Sequence, residues 1–336
     1  MRAKVLLAKP KVPPAYWERF CQYIEPMELK SGHTYSAEEL SAALQDCRGL
    51  IKMGASLPDL TRRVFKAAPA LQLVGIDGDR FGTGVDMEAA AEHGVKVVDV
   101  SNIAPANPVA EWNLALILMC LRNVGTLFRQ MMEGSEKWAT SPNQDFVNGE
   151  LTGRKIGLIG CGHIGQRLIE LLAPFQVDLL VHDPYLDAES VARLGIVRDE
   201  LDRVLEHAEI LVVQVPHTEK TEKMIAVREL ELLGKGSILI NCSRGQVIDQ
   251  QALIHKVESG ELIAGLDVFE EEPLPQDSPL RALRNIFISP HVAWYAPDSL
   301  HLYQSYMLDE FARFFTGEPL RYELTRRMLD IRHGRV

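Results

Sequence analysis

The sequence predicts an α/β fold of two doubly wound, parallel-sheet domains. Both halves of the 336-residue chain alternate short apolar strands with amphipathic helical patterns, the mark of strand–helix–strand units and parallel sheets. Between the halves a helical pattern runs from about Ala106 to Glu133, long enough to leave one domain and enter another. The second half then opens on an apolar strand that breaks into a glycine-rich turn, I-G-L-I-G-C-G-H-I-G.

In the first half, strands are expected at Lys4–Ala8, Gly49–Met53, Leu71–Ile76 and Lys96–Val100, with a weaker one near Met27–Lys30. Helical patterns fill the gaps at Ala15–Ile24, Ala37–Cys47, Pro58–Ala67 and Met87–His93. No phosphate-binding glycine pattern opens any of these helices. The segment Gly75–Asp86, G-I-D-G-D-R-F-G-T-G-V-D, follows a strand as a loop. Its ordinary reading is a flexible turn, and its functional one is a row of backbone N–H donors for a small anion. Pro108 then suits the first turn of the long helical pattern.

The second half is organised around Lys155–Tyr185. A strand (Ile156–Ile159) ends at Gly160, and Gly160, Gly162 and Gly165 form a Gly-x-Gly-x-x-Gly turn. An amphipathic helix starts near His163, and a second strand (Leu179–His182) ends in Asp183. Strand, turn, helix, strand and acid is the order a dinucleotide requires. Gly160 permits the tight turn, Gly162 lets a pyrophosphate approach the backbone, and Gly165 lets the helix pack on the strand. The helix dipole and its first N–H groups face the phosphates. Asp183 lies about 20 residues past the first glycine, where a carboxylate accepts from both ribose hydroxyls. A 2′-phosphate would meet that negative charge, and the next residues are Pro184 and Tyr185, not Arg. NAD(H) is therefore expected over NADP(H).

Further strands are expected at Ile210–Val215, Ser237–Asn241, Ile263–Asp267 and Ile286–Ile288. A last amphipathic helix, Ser299–Phe315, ends at Gly317 and Pro319 and by its position returns to the first domain. The expected division is a discontinuous substrate domain (1–104 plus 296–336), an NAD-binding Rossmann-like domain (105–295), and an active-site cleft between them.

Composition narrows the function. A net charge of −10 and the lack of any basic run argue against a nucleic-acid surface. The five cysteines show neither metal spacing nor a paired framework, as in a reduced cytoplasmic protein. The opening M-R-A-K-V-L-L-A-K-P has too short an apolar core for a signal peptide, and Leu114–Leu121 is far shorter than a membrane span. No membrane partner and no metal are expected.

Three strand ends carry chemistry: Arg244 in N-C-S-R-G, the run Glu270, Glu271 and Glu272 after Asp267, and His291 in S-P-H-V-A-W-Y. In doubly wound sheets, ligands sit beyond the carboxyl ends of strands, so all three point at the crevice of the fingerprint. Carbonyl reduction needs a proton donor, which a protonated imidazole supplies near neutral pH. A paired carboxylate orients that imidazole, and an arginine clamps the carboxylate of a 2-keto acid. Taken singly, a strand-end Arg is often a cap and an E-E-E run a solvated turn.

Together, I-G-L-I-G-C-G-H-I-G, V-H-D-P-Y, N-C-S-R-G-Q-V-I-D, A-G-L-D-V-F-E-E-E-P-L and S-P-H-V-A-W-Y resemble the D-isomer-specific 2-hydroxyacid dehydrogenases over nearly the whole chain. The resemblance implies NAD-dependent interconversion of a 2-keto acid and a D-2-hydroxy acid. It places the catalytic roles on Arg244, Glu272 and His291. It sets His163 and Ile164 beside the pyrophosphate, Val215, Pro216, Cys242 and Ser243 along the cofactor, and Asp267 at the nicotinamide carboxamide. Members pair through the cofactor domain, so a homodimer is expected. H-D-P-Y-L and A-W-Y resemble the subgroup that includes the C-terminal-binding protein corepressors, and an NAD(H)-sensing scaffold with little turnover is the alternative. The formate enzymes carry Gln in place of the catalytic Glu, which Glu272 argues against. The substrate loop matches R-x-G-T-G-V-D at Arg80–Asp86, implying substrate contacts at Gly82 and Thr83. It has extra residues at 76–79 and lacks the following N-x-D, and Gln214 stands where a histidine is common.

Overall fold

The computed structural model describes residues 2–53, 56–76, 84–100, 106–136, 138 and 149–332. They form two compact units, one within Met1–Pro105 and Tyr295–Ile331, the other within Ala106–Trp294.

In the first unit, β1 (Ala3–Leu7), β2 (Ile24–Glu28), β3 (Gly49–Lys52), β4 (Leu73–Ile76) and β5 (Lys96–Asp99) pair in the order β2-β1-β3-β4-β5. Every pair is parallel, giving the flavodoxin-like arrangement. Side chains alternate between faces, and both faces are buried. Leu6, Leu50, Val74 and Val97 fill one core, while Val5, Leu7, Ile51, Leu73 and Val98 meet Met307 and Phe311 in the other. A Cβ on Gly49 would lie 2.8 Å from the Phe311 ring, so that glycine lets the helix Pro297–Thr316 sit close to the sheet. The helix stops at Gly317 (φ 82°), and the chain folds back to β5, where the Leu324 N–H donates to the Val97 carbonyl at 2.8 Å. Buried Glu310 accepts from the Arg321 and Tyr322 amides and fixes this return.

The strand β2 starts three residues before the expected weak strand near Met27–Lys30 and contains Pro26. Proline reads as a breaker, but at a sheet edge its missing N–H costs no ladder bond.

In the second unit, β6 (Lys155–Ile159), β7 (Asp178–His182), β8 (Val197–Arg198), β9 (Ile210–Val213), β10 (Ser237–Asn241), β11 (Leu262–Leu266) and β12 (Ile286–Ile288) form a second parallel sheet. Its order is β12-β11-β10-β9-β6-β7-β8. This is the dinucleotide-fold order extended by one strand, with the reversal between β6 and β9. Along β9, Leu211 and Val213 enter one core, Ile210 and Val212 the other.

Two helix expectations are corrected: the helix expected at Pro58–Ala67 begins only at Arg62. The helical pattern 106–133 is two helices, Ala106–Leu121 and Val124–Glu133, separated at Asn123 (φ 46°, ψ 38°). Asparagine tolerates this left-handed conformation, and one such residue ends a helix; apolar periodicity does not register it. The first helix buries Val109, Ala110, Asn113, Leu116, Ile117, Cys120 and Leu121, the second no residue at all. Among the described residues no helix is long and apolar enough to cross a membrane.

Candidate active site

The three fingerprint glycines are required for three different reasons. Gly160, at the end of β6, has φ 89°, and a Cβ there would overlap the Gln214 carbonyl just past β9. Gly165, inside the helix His163–Leu172, would bring a Cβ to 2.6 Å from the Gly160 carbonyl oxygen. Gly162 caps that helix, and a Cβ there meets nothing within 4 Å. No side chain caps the terminus, as suits amides and a dipole that attract phosphate. His163 and Ile164 begin this helix.

Asp183, just past β7, is oriented by the fingerprint. Its Oδ2 accepts from the Cys161 amide at 2.8 Å and its Oδ1 from the Tyr185 amide at 2.9 Å. An opening over Gly162, an uncapped helix start and a carboxylate at the neighbouring strand end are a fit for a dinucleotide with free ribose hydroxyls.

Val215 and Pro216 follow β9, with the Val215 side chain bordering Gly160. The preceding Gln214 donates its amide to Asn113 Oδ1 at 3.1 Å, and Asn113 donates in turn to the Val109 carbonyl at 2.7 Å. Sequence reasoning missed this pair; the signal was a lone asparagine inside the apolar run Leu114–Leu121 and its approach. Past β10, the Ser243 amide and hydroxyl both donate to Asn241 Oδ1, at 2.9 and 2.7 Å. Asn241 Nδ2 donates to the Arg244 carbonyl at 2.8 Å. Burial pushes the Cys161 and Cys120 thiols up to about 12. Burial, and then the charge of Asp267, also raises Cys242 well above an ordinary thiol. These groups are neutral apolar surface near pH 7, not nucleophiles.

Arg244, half-buried, donates Nη1 to the Ser243 carbonyl at 2.5 Å. The next residue, Gly245, lies against Phe269: a Cβ there would overlap the Phe269 carbonyl. The arginine loop and the glutamate loop are therefore in backbone contact. The structure separates the three glutamates. Glu270 accepts from the Gln250 amide at 3.1 Å and joins Asp249 in capping the helix Gln250–Glu258. Glu271 is exposed. Glu272 accepts from the Phe269 amide at 3.0 Å through Oε1, and its Oε2 lies 2.6 Å from His291 Nδ1. Both side chains of this pair are mostly shielded, 27% and 18% exposed.

Asp267, at the end of β11, is fully buried. Its Oδ1 accepts from Ser289 Oγ at 2.5 Å and the Val292 amide at 3.0 Å, its Oδ2 from the Ala293 amide at 2.8 Å. Gly82 and Thr83 lie outside the described residues.

Residues 114–293 match the family described as D-isomer specific 2-hydroxyacid dehydrogenase, NAD binding domain. The chain is 32% identical over 293 residues to a D-3-phosphoglycerate dehydrogenase of Methanocaldococcus jannaschii, covering 86% of this chain and 53%, about half, of that protein. It is 30% identical over 322 residues to a glyoxylate/hydroxypyruvate reductase B of Yersinia pestis, covering 94% of this chain and 95% of that one. A phosphoglycerate oxidoreductase from Rhizobium etli shares the fold with a TM-score of 0.83 at 24% identity, covering 97% of this chain and 99% of that one. With a dinucleotide-type sheet, a fitting glycine turn and relatives of this kind, the chain belongs to the D-isomer-specific 2-hydroxyacid dehydrogenase family and is an NAD-dependent oxidoreductase.

Proposed function

We propose that this protein interconverts a small 2-keto acid and the corresponding D-2-hydroxy acid, with Arg244, Glu272 and His291 as its catalytic residues. The observation that carries this reading is the 2.6 Å contact between Glu272 Oε2 and His291 Nδ1. A carboxylate only accepts, so Nδ1–H donates and proton exchange falls to Nε2. In reduction, His291 gives a proton from Nε2 to the carbonyl oxygen while Glu272 stabilises the imidazolium. In oxidation, the neutral ring takes the hydroxyl proton. Bound NADH supplies the hydride in the first direction and NAD accepts it in the second.

Arg244 grips the substrate carboxylate. A guanidinium has five N–H donors, so its bond to the Ser243 carbonyl is compatible with a bidentate clamp. Asp183 holds the adenosine ribose, and the open side of Gly162 admits the pyrophosphate. The named relatives act on phosphoglycerate and on glyoxylate or hydroxypyruvate, which supports small 2-oxygenated acids as the substrate class. The helix Val124–Glu133, with Phe128, Met131 and Met132 exposed and no buried residue, supports a homodimer formed through the unit that carries the fingerprint.

The test is NADH oxidation against glyoxylate, hydroxypyruvate, pyruvate and branched-chain 2-keto acids. Turnover of one or more, yielding the D-isomer where the product is chiral, is the expected result. Stable fluorescence of bound NADH with no oxidation by any of them would favour the scaffold alternative.

A further inference from the structure

His291 is a non-glycine residue with a φ of 53°, a conformation that persists only where its surroundings enforce it. Asp267 surrounds this turn, and the Ser289 carbonyl also accepts from the His291 amide, at 3.0 Å. The His291 amide donates to the Asp267 carbonyl at 2.9 Å. The Asp267 carboxylate then takes Ser289 Oγ on one side of the histidine and the Val292 and Ala293 amides on the other. One buried residue thus binds the turn Ser289–Ala293 at four points that bracket His291. A further contact comes from the helix Ala106–Leu121: Trp112 donates its indole N–H to Ser289 Oγ at 3.1 Å. The hydroxyl that donates to Asp267 is itself held as an acceptor, so its direction is set.

We infer that Asp267 is a positioning residue for His291, the template on which the histidine turn folds, and that Trp112 acts on the same turn through Ser289. This rests on the catalytic reading of His291 given above. It differs from a carboxamide contact in what it requires: losing Ser289 or Trp112, neither of which is placed at the cofactor, misplaces the imidazole relative to Glu272 and leaves cofactor affinity alone.

Ser289→Ala, Ser289→Thr, Trp112→Phe and Asp267→Asn separate the possibilities. Ser289→Ala should lower kcat about tenfold, the size of one hydrogen bond to a charged group, with KM for the keto acid and NADH affinity unchanged. Ser289→Thr, which keeps the hydroxyl, should restore kcat, and Trp112→Phe should fall between the two. Asp267→Asn places an N–H₂ group against amide donors and should cost about a hundredfold, as a misplaced catalytic group does. A readout independent of turnover is the His291 Nδ1–H proton resonance, assigned by its loss in His291→Gln. It should shift or broaden in Ser289→Ala. An unmoved resonance with unchanged kcat in Ser289→Ala overturns the inference, as does NADH affinity that falls in step with kcat. If the unmutated protein turns over no keto acid, the catalytic reading fails, and the resonance still decides whether Ser289 and Asp267 hold the ring.

Discussion

Gly245 and Phe269 touch backbone to backbone: the arginine loop after β10 has no room for even a methyl group against the glutamate loop after β11. Two segments about 25 residues apart in sequence are locked together one residue from Arg244 and three from Glu272. Gly245→Ala should therefore force the loops apart. A cost of about 1–3 kcal/mol in stability, the usual range for overpacking, is expected, measurable as a lowered urea midpoint. The value of kcat/KM should fall about a hundredfold, because the Arg244 loop would shift against the loop that carries Glu272.

Charge, and not only shape, matters in the Glu272–His291 pair. Glu272→Gln keeps an acceptor oxygen but removes the counter-charge of the imidazolium. Its kcat should fall by about 10²–10³ in reduction, within the range of a lost acid–base partner, while NADH fluorescence titrations stay unchanged. His291→Ala should lose at least as much. Unchanged turnover in that variant would remove the histidine from the acid role.

Two fingerprint glycines separate folding from binding. A Cβ on Gly162 enters open space, so Gly162→Ala should fold with stability within about 0.5 kcal/mol of the parent and yet bind NAD at least tenfold more weakly. A Cβ on Gly165 would lie 2.6 Å from a backbone oxygen, so Gly165→Ala should be destabilised first. Thermal melts with and without NAD tell the two apart.

Asp183→Ala should weaken NAD binding in two ways. It removes the proposed ribose acceptor, and it releases the Cys161 amide that the carboxylate now holds. NAD affinity should drop about tenfold or more, one to two hydrogen bonds to a charged group, and discrimination against NADP should shrink. Equal use of NAD and NADP by the unmutated protein would defeat the claim of selectivity.

The buried thiols make stability sensitive to alkali. In the unfolded chain they ionise near 9.0, whereas burial holds Cys120 and Cys161 protonated up to about 12. Their contribution is therefore complete below pH 9.0 and is lost as pH rises toward 12. In that window each thiol subtracts up to about 1.4 kcal/mol per pH unit. Urea midpoints should fall less steeply with pH in Cys120→Ala than in the parent.

Apolar contact between copies is expected on Val124–Glu133. On the proposed homodimer, Phe128→Glu with Met132→Glu should leave only monomers in light scattering, with the circular dichroism spectrum unchanged. Neither side chain is buried within the chain, so folding has no stake in them.

Much of this site could be read along the chain because its physics is local. A glycine turn between a strand and a helix, an acid at the next strand end, and Arg, Glu and His after three apolar strands are each specified within about ten residues of sequence. The sequence also determined that the chain alternates strand and helix, since periodicity reports which face of each element is buried. Other features depend on contacts between segments far apart. The family resemblance singled out Glu272, but the physical reason that it and not Glu270 meets the imidazole is where β11 and β12 deliver their loops, with Glu270 drawn off to the helix at Gln250. The break at Asn123 hides in an unbroken apolar pattern, because a single left-handed residue leaves no trace in hydrophobicity. The cradle of Asp267 around His291, reached from Trp112, came only with the tertiary fold: hydrogen bonds between residues 22 to 26 positions apart in the cradle, and 177 apart from Trp112 to Ser289, have no sequence period to betray them.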